Sequence, residues 1–467
     1  EGFVINSIKD NAEKQLFKVL DETDGGNVII NKNVLKFCEI INFAGQISTT
    51  NVILTINVTA PETAGTYTVK VGESSANYDE KFLAITTKEG TVTVASSHVH
   101  DYEVVAATPA TGDFDTATEI SKGSVTLRCK DGDDEHVEQV SYTANAGIDY
   151  AAADYSSQIN LVFSADEEYL GTNYTDAFAY FTHVISSDNS TQKTIMDISK
   201  AEETTIDGYP SKSWYYGVKS TQLTENVTAY LFYCVDGVWY CGDEAEYSVR
   251  TYADEIFPKL TGDSGETEKA LIANMLTYGS KMQTFKKYNT DNLADANFDM
   301  YRSYVTTSDP TISAEIVDNQ PDDGAWIYQF QLDMASKIEQ SFSLSAEDYT
   351  GTNKSDLKVV VEWSNANGVP LSYTYDKTGT LDGKLNSVEG YEYDYEFKFS
   401  GLVSYDLRQQ FTIKILDGDN VINGEYVASV EACVAVGIAN GTYGNDEVAV
   451  YKAMMNYSDA ARAHFVK

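Results

Sequence analysis

The feature that most constrains this chain is an internal duplication. "YKAMMNYSDAARAHF" (451–465) echoes "IANMLTYGSKMQTF" (272–285): Met275-Leu276 and Met454-Met455 each stand just before a tyrosine, Tyr278 or Tyr457, and a small residue follows each tyrosine. Upstream, "SADEEYLGTNYTDAFAYF" (164–181) returns as "SAEDYTGTNKSDLKVVVEW" (345–363), with Gly171-Thr172-Asn173 and Asp176 recurring 180 residues later as Gly351-Thr352-Asn353 and Asp356. The helical tyrosines are 179 apart. Landmarks at both ends of a segment that keep nearly one offset mean that a whole unit was copied, so the repeat is a domain rather than a helix.

Inside each unit strands come first and helices last. "YEYDYEFKF" (391–399) alternates Tyr391, Tyr393, Tyr395, Phe397 and Phe399 with charged residues, the period-2 pattern of a half-buried strand. "TENVTAYLFYCVDGVWYCGDEAEYSV" in the first unit and "YDLRQQFTIKILDGDNVINGEYVASV" in the second each read as a long strand, an Asp-Gly turn and a return strand. "GETEKALIANMLTYGSKMQTFKKY" opens on acids and closes on lysines, as the helix dipole favours. Its apolar stripe at 271, 272, 275, 276, 282 and 285 must be covered, and the preceding sandwich is the nearest cover.

The expected fold is therefore mainly β with accessory helices: tandem β-sandwich modules, the last two each closed by a C-terminal helix or helix cluster. The boundaries read as 1–97, a β-sandwich; 98–150, a small β module; 151–296, repeat 1; 297–330, a polar linker with two of the 7 prolines; and 331–467, repeat 2.

Charge narrows the function. With 71 acidic against 33 basic residues, the net charge of −38 repels phosphate backbones and anionic membranes, which excludes nucleic acid as a partner. No run of roughly 18 apolar residues occurs and no charged-then-apolar leader opens the chain, so neither membrane insertion nor a signal peptide is expected in it.

Metal and thiol chemistry find few anchors, and no cofactor is expected. Five cysteines, an odd count, argue against a disulfide framework. In "YCVDGVWYC" a Gly237-Val238 turn puts Cys234 and Cys241 opposite each other as a possible disulfide, whereas an Asp236-Gly237 turn puts them diagonally apart. His98, His100, Cys129 and His136 match no standard zinc spacing, and "DGDNVING" (417–424) lacks the ligand spacing of a calcium loop. There is no Gly-x-Ser-x-Gly elbow, phosphate loop or His-Glu-x-x-His, and His183 and His464 have no local Cys or Ser constellation. The chain reads as a non-enzyme.

Three stretches carry a resemblance. "YSVRTYADEIF" followed by "ALIANMLTYGSKMQTFKKYNTDNLADA" resembles a β-plus-helix module of large secreted and cell-surface proteins of anaerobic gut Clostridia, the ruminococci and their relatives; the second copy matches more weakly, with "ASVEACV" for "YSVRTYA". "TNVILTINVTAPETAGTYTVKV" (50–71) and "GTVTV" (90–94) are similar to the closing strands of a cohesin-type sandwich, which makes 1–97 a truncated cohesin-like module and implies dockerin-type or other surface-complex partners. "HVHDYEVVAATPATGDFDTATEISKGSVTLRC" (98–129) is similar to small His-Thr-Cys modules of bacterial surface proteins. Together they imply an extracellular, cell-surface or secreted location and a role in polysaccharide adherence.

A neutral polysaccharide suits the composition, because sugar rings stack on Trp and Tyr, acids and amides take the hydroxyls, and a neutral glycan does not feel the charge. Neighbours on a strand face opposite sides, so "SWYYG" and "GVWY" cannot point every aromatic into one core. The candidate carbohydrate-binding residues are Trp214, Tyr215, Trp239 and Tyr240 in repeat 1 and Trp363, Tyr373 and Tyr375 in repeat 2. The expected function is non-catalytic binding of a neutral polysaccharide, an α-glucan such as starch before cellulose. The alternative is a surface adhesin or spacer with no glycan affinity.

Overall fold

The computed structural model describes residues 101–466, with breaks at 114–115, 131–133, 171–173, 298, 322–324, 334–337, 347–348, 350–355 and 390, and before residue 101 the strands alone. It divides into two units, Glu1–Asp101 and Tyr102–Lys467. In the first unit the described strands form four antiparallel pairs: Val4–Asp10 with Leu54–Thr59, Val28–Asn31 with Val34–Phe37, Gly65–Val69 with Gly90–Val94, and Ala76–Tyr78 with Lys81–Leu83.

The second unit holds both repeats, and their strand topology is the same. In repeat 1, β1 (Tyr150–Asp154), β2 (Asn160–Asp166), β3 (Tyr174–Ile185), β4 (Ser190–Asp197), β5 (Glu202–Ile206), β6 (Tyr209–Gly217) and β7 (Val227–Val235) lead through β8 (Val238–Cys241) and β9 (Ala245–Tyr247) to helices α1 (Val249–Ile256) and α2 (Gly262–Lys286). A four-stranded sheet, β1-β2-β6-β5, faces a larger one in which β3 lies between β4 and β7, and both β8 and β9 pair with β7. Repeat 2 follows with β10 (Trp326–Asp333), β11 (Glu339–Ser345), β12 (Lys358–Ser364), β13 (Pro370–Asp376), β14 (Asn386–Ser387), β15 (Tyr395–Phe399) and β16 (Phe411–Asp417), then β17 (Asn420–Val421), β18 (Glu425–Ala428), α3 (Val430–Ala439) and α4 (Asn445–Phe465). Its sheets run β10-β11-β15-β14 and β13-β12-β16-β18, with β17 paired to β16. A 3-10 turn precedes the long central strand of each copy, Ser220–Gln222 and Ser404–Asp406, and Ser248 and Ser429 cap α1 and α3 identically by accepting the backbone N–H three residues on.

Two of the expected boundaries dissolve. The small module expected over 98–150 does not stand apart within the second unit: Tyr102–Thr108, Gly123–Cys129 and Glu135–Tyr142 continue the large sheet of repeat 1 through a parallel pairing of Val140–Tyr142 with Trp239–Cys241. The sheet curls so that Tyr102–Thr108 at one edge meets β4 at the other, and Val125, Val140, Trp239, Phe232 and Phe178 share a second core along it. The central strand β3 is consequently buried on both faces and reads "AFAYF", whereas its counterpart β12, open on one side, alternates as "KVVVEWS". Nor is 297–330 a free linker: Tyr301 is fully buried, its ring 4.4 Å from that of Phe257 and its phenol donating to Asp254 at 2.5 Å, and Val317–Asn319 pairs with β18. Scattered aromatics anchor a segment whose average composition is polar.

The repeated helix now has its reason. α2 and α4 pack antiparallel, with Tyr278 and Tyr457 stacked at 6.0 Å and 10° between ring planes, and with the Thr267 hydroxyl meeting His464 Nδ1 at 3.0 Å. Each tyrosine meets its own copy, so the contact is isologous, as across a two-fold axis. Leu271, Ile272, Met275, Leu276 and Met282 of one helix and Val450, Met454 and Met455 of the other belong to a single core running through both sandwiches. The cover expected from the sandwich alone is thus shared with the partner helix.

Gly279, the small residue after Tyr278, marks where α2 touches the Ser220–Gln222 turn. A Cβ there would lie 2.5 Å from Leu223 Cδ1 and 2.9 Å from the Ser220 carbonyl oxygen. Gly279→Val is expected to cost about 1–3 kcal/mol through overpacking, read as a lower denaturation midpoint.

Candidate functional site

A cleft of about 730 Å³ opens at one end of repeat 1, where the β1–β2 hairpin, the end of β4 and strands β5 and β6 converge. Its lining combines the Tyr215 ring with the amides of Gln158 and Asn160, the carboxylates of Asp154, Asp197 and Glu202, the Lys200 ammonium and the apolar Ile195 and Met196. Strand parity explains the placement: Trp214 and Tyr216 of β6 enter the core, so Tyr215, cross-strand from Val162, faces outward. Asn160 is buried, with Oδ1 accepting from Gln158 Nε2 at 3.0 Å, and Asp197 caps a 3-10 turn by accepting from Ser199 N at 2.8 Å. Burial, followed by the Glu202 and Asp154 charges, pushes the Tyr215 phenol above its ordinary pKa, so it remains a donor at neutral pH. One half-buried aromatic ring among amides, carboxylates and an ammonium can stack on an apolar ligand face while the polar groups exchange hydrogen bonds with its rim.

No family model and no curated protein matches this chain. Among solved structures, that of MtrC from Shewanella baltica OS185 is similar at 9% identity over 60% of this chain and 68% of that one, with a TM-score of 0.13, too slight a likeness to carry an argument. The site is therefore read from its own geometry.

Of the seven aromatics expected at a ligand, Tyr215 alone lines the cleft. Trp214 is fully buried, and Trp239, Trp363 and Tyr375 are exposed by 5% or less. These four are corrected to core residues. Trp239 faces the second core beside Phe178, at 5.7 Å between ring centroids. Trp363 meets Phe399 at 5.2 Å, and Tyr375 meets Phe397 at 5.0 Å. Tyr240 stacks on Tyr233 at 5.5 Å and Tyr373 stands edge-on to Trp363 at 5.3 Å, both packed against the main core. In "GVWY" alternation does send neighbours to opposite faces, but the curled sheet covers both. Of the four tryptophans, Trp326, not singled out by sequence, is the one outside the buried core.

The hairpin after β7 turns at Asp236-Gly237, both with positive φ (50° and 78°), and pairs Cys234 with Trp239 and Cys241 with Phe232. The cysteines are diagonal and both are free, so the possible disulfide is corrected to two buried thiols; burial pushes Cys241 up to about 12. His98 and His100 of the zinc reading lie outside the described residues. Cys129 is buried, and His136 is edge-on to Tyr102 at 4.7 Å. Residues 417–421 form a tight β16–β17 hairpin.

Proposed function

We propose that this chain is a non-catalytic carbohydrate-binding protein that holds a neutral polysaccharide, an α-glucan by preference, at a bacterial cell surface or in an extracellular polysaccharide-degrading complex. The observation that carries the reading is the Tyr215 cleft, where one aromatic face is flanked by two amides and three carboxylates. A pyranose offers such a site an apolar CH face for the ring and hydroxyls for the amides and acids. The charge of −38 disfavours anionic ligands and leaves a neutral polymer unaffected.

Affinity electrophoresis against starch, cellulose, xylan and mucin tests it. Retardation by one glycan is expected, with its chain length unchanged on incubation, and Tyr215→Ala is expected to weaken binding at least about tenfold, roughly 1.4 kcal/mol. Passage of the unaltered chain through every gel without retardation would sink the reading and leave the adhesin or spacer.

A further inference from the structure

Repeat 2 carries a different aromatic surface. In edge strand β10 Ile327 is buried and Trp326, cross-strand from Ser345, lies on the outer face of the small sheet, while the ladder shifts register at Tyr328, whose ring stands beside Trp326. Tyr391 and Tyr393, from the turn before β15, complete a contiguous row. Trp326 and Tyr328 are 5.3 Å apart between centroids at 50°, Tyr328 and Tyr393 5.8 Å at 34°, and Tyr393 and Tyr391 5.3 Å at 29°. Tyr391 is 68% exposed. The row is held in place: the Tyr328 phenol donates to Glu392, and the Tyr393 phenol donates to Glu396 Oε1 at 2.7 Å.

The chemistry selects the occupant. Each carboxylate spends one acceptor on a phenol and keeps lone pairs for further donors. An apolar peptide face would desolvate both acids without a partner, and an anionic chain would meet like charge. A neutral polyhydroxylated chain supplies CH faces for the rings and hydroxyls for the acids. The ring planes turn by 29° to 50° from one neighbour to the next, so they follow a twisting single chain better than the flat face of a crystal.

We propose that Trp326, Tyr328, Tyr393 and Tyr391, with Glu392 and Glu396, form a second, open platform that binds a single chain of the same neutral polysaccharide as the Tyr215 cleft, an inference that rests on the function proposed above. Two sites on one unit bring avidity on a repetitive polymer.

Trp326 supplies the readout, since the other three tryptophans are at most 5% exposed. The probe is whichever of soluble starch, xylan or mixed-linkage β-glucan retards the chain. In Tyr215→Ala protein, titration with it is expected to change the tryptophan emission saturably. Trp326→Ala and the exposed-site variant Tyr391→Ala are each expected to weaken binding of the polymer at least about tenfold, with the cleft intact. If both bind the polymer as the unaltered chain does, the platform is overturned and the cleft stands. Retention of Tyr215→Ala by crystalline cellulose but by no soluble chain would overturn the single-chain assignment. If no glycan retards the unaltered chain, the cleft and the platform fall together.

Discussion

Trp214→Ala is expected to lower the unfolding free energy by about 3–5 kcal/mol. The indole is fully buried in the core shared by both repeats, on β6, which lies between β2 and β5 in the small sheet of repeat 1. Its N–H has no partner among the described residues, so truncation removes apolar packing and leaves a cavity without orphaning a hydrogen-bond partner. The neighbouring Tyr215→Ala points the other way and is expected to change stability by about 1 kcal/mol or less while weakening ligand binding. Urea denaturation of the two variants beside affinity electrophoresis separates the roles of adjacent residues. Full stability in Trp214→Ala together with lost glycan binding would contradict the placement of both.

The pair also shows what the sequence could and could not reveal. Duplication, strand order and closing helices were legible because they rest on local periodicity and on a repeated register: Ser164 and Ser345, Leu223 and Leu407, Tyr278 and Tyr457 occupy matching places in the two copies. The alternation in "SWYYG" correctly implied that its aromatics face two ways. Which way depends on which face the sheet buries, and that is a tertiary property. In "GVWY" the inference from alternation to exposure fails because strands Tyr102–Thr108, Gly123–Cys129 and Glu135–Tyr142, within the segment 98–150 that reads as a small module of its own, cover the second face. Nothing local marks Trp326: it precedes a buried isoleucine with no second tryptophan nearby, and its partners Tyr391 and Tyr393 come from a turn some 65 residues later. The alternation over 391–399 predicts one half-buried strand, but the strand starts at Tyr395, and Tyr391 and Tyr393 stand in the turn before it.

Glu225→Ala is expected to cost about 3–5 kcal/mol at neutral pH, because it leaves three buried donors, on His183, Ser186 and Tyr288, without their acceptor. Glu225 Oε2 accepts from His183 Nε2 at 2.8 Å, while Oε1 accepts from Ser186 N at 2.9 Å and from the Tyr288 phenol at 2.6 Å, so one carboxylate joins the β3–β4 turn to the residues that follow α2. Burial alone would raise its pKa, but these donors outweigh it and hold the carboxyl down to about 2. A folded pKa below the ordinary value stabilises the protein above the unfolded carboxylate range, near pH 4.5, and the contribution is lost as pH falls through about 2. The stability gap between the unaltered chain and Glu225→Gln should therefore be widest at pH 5–7 and close on acidification. In repeat 2 Gln409 replaces Glu225 by sequence register, and the buried Asp406, in the 3-10 turn, takes over the contact by accepting from Ala366 N at 2.7 Å in the β12–β13 turn. Here burial wins over the Ala366 hydrogen bond and the Arg462 charge, and the carboxyl is raised. A raised folded pKa has the opposite sign: its contribution is present at low pH and lost as pH rises through that value. Asp406→Asn, which keeps an acceptor for Ala366 N, is expected to be neutral or stabilising at pH 7 where Glu225→Gln is destabilising. Denaturant titrations of both variants at pH 7 and pH 3 check this; equal losses at pH 7 would show that the two buried acids are not shifted in opposite directions.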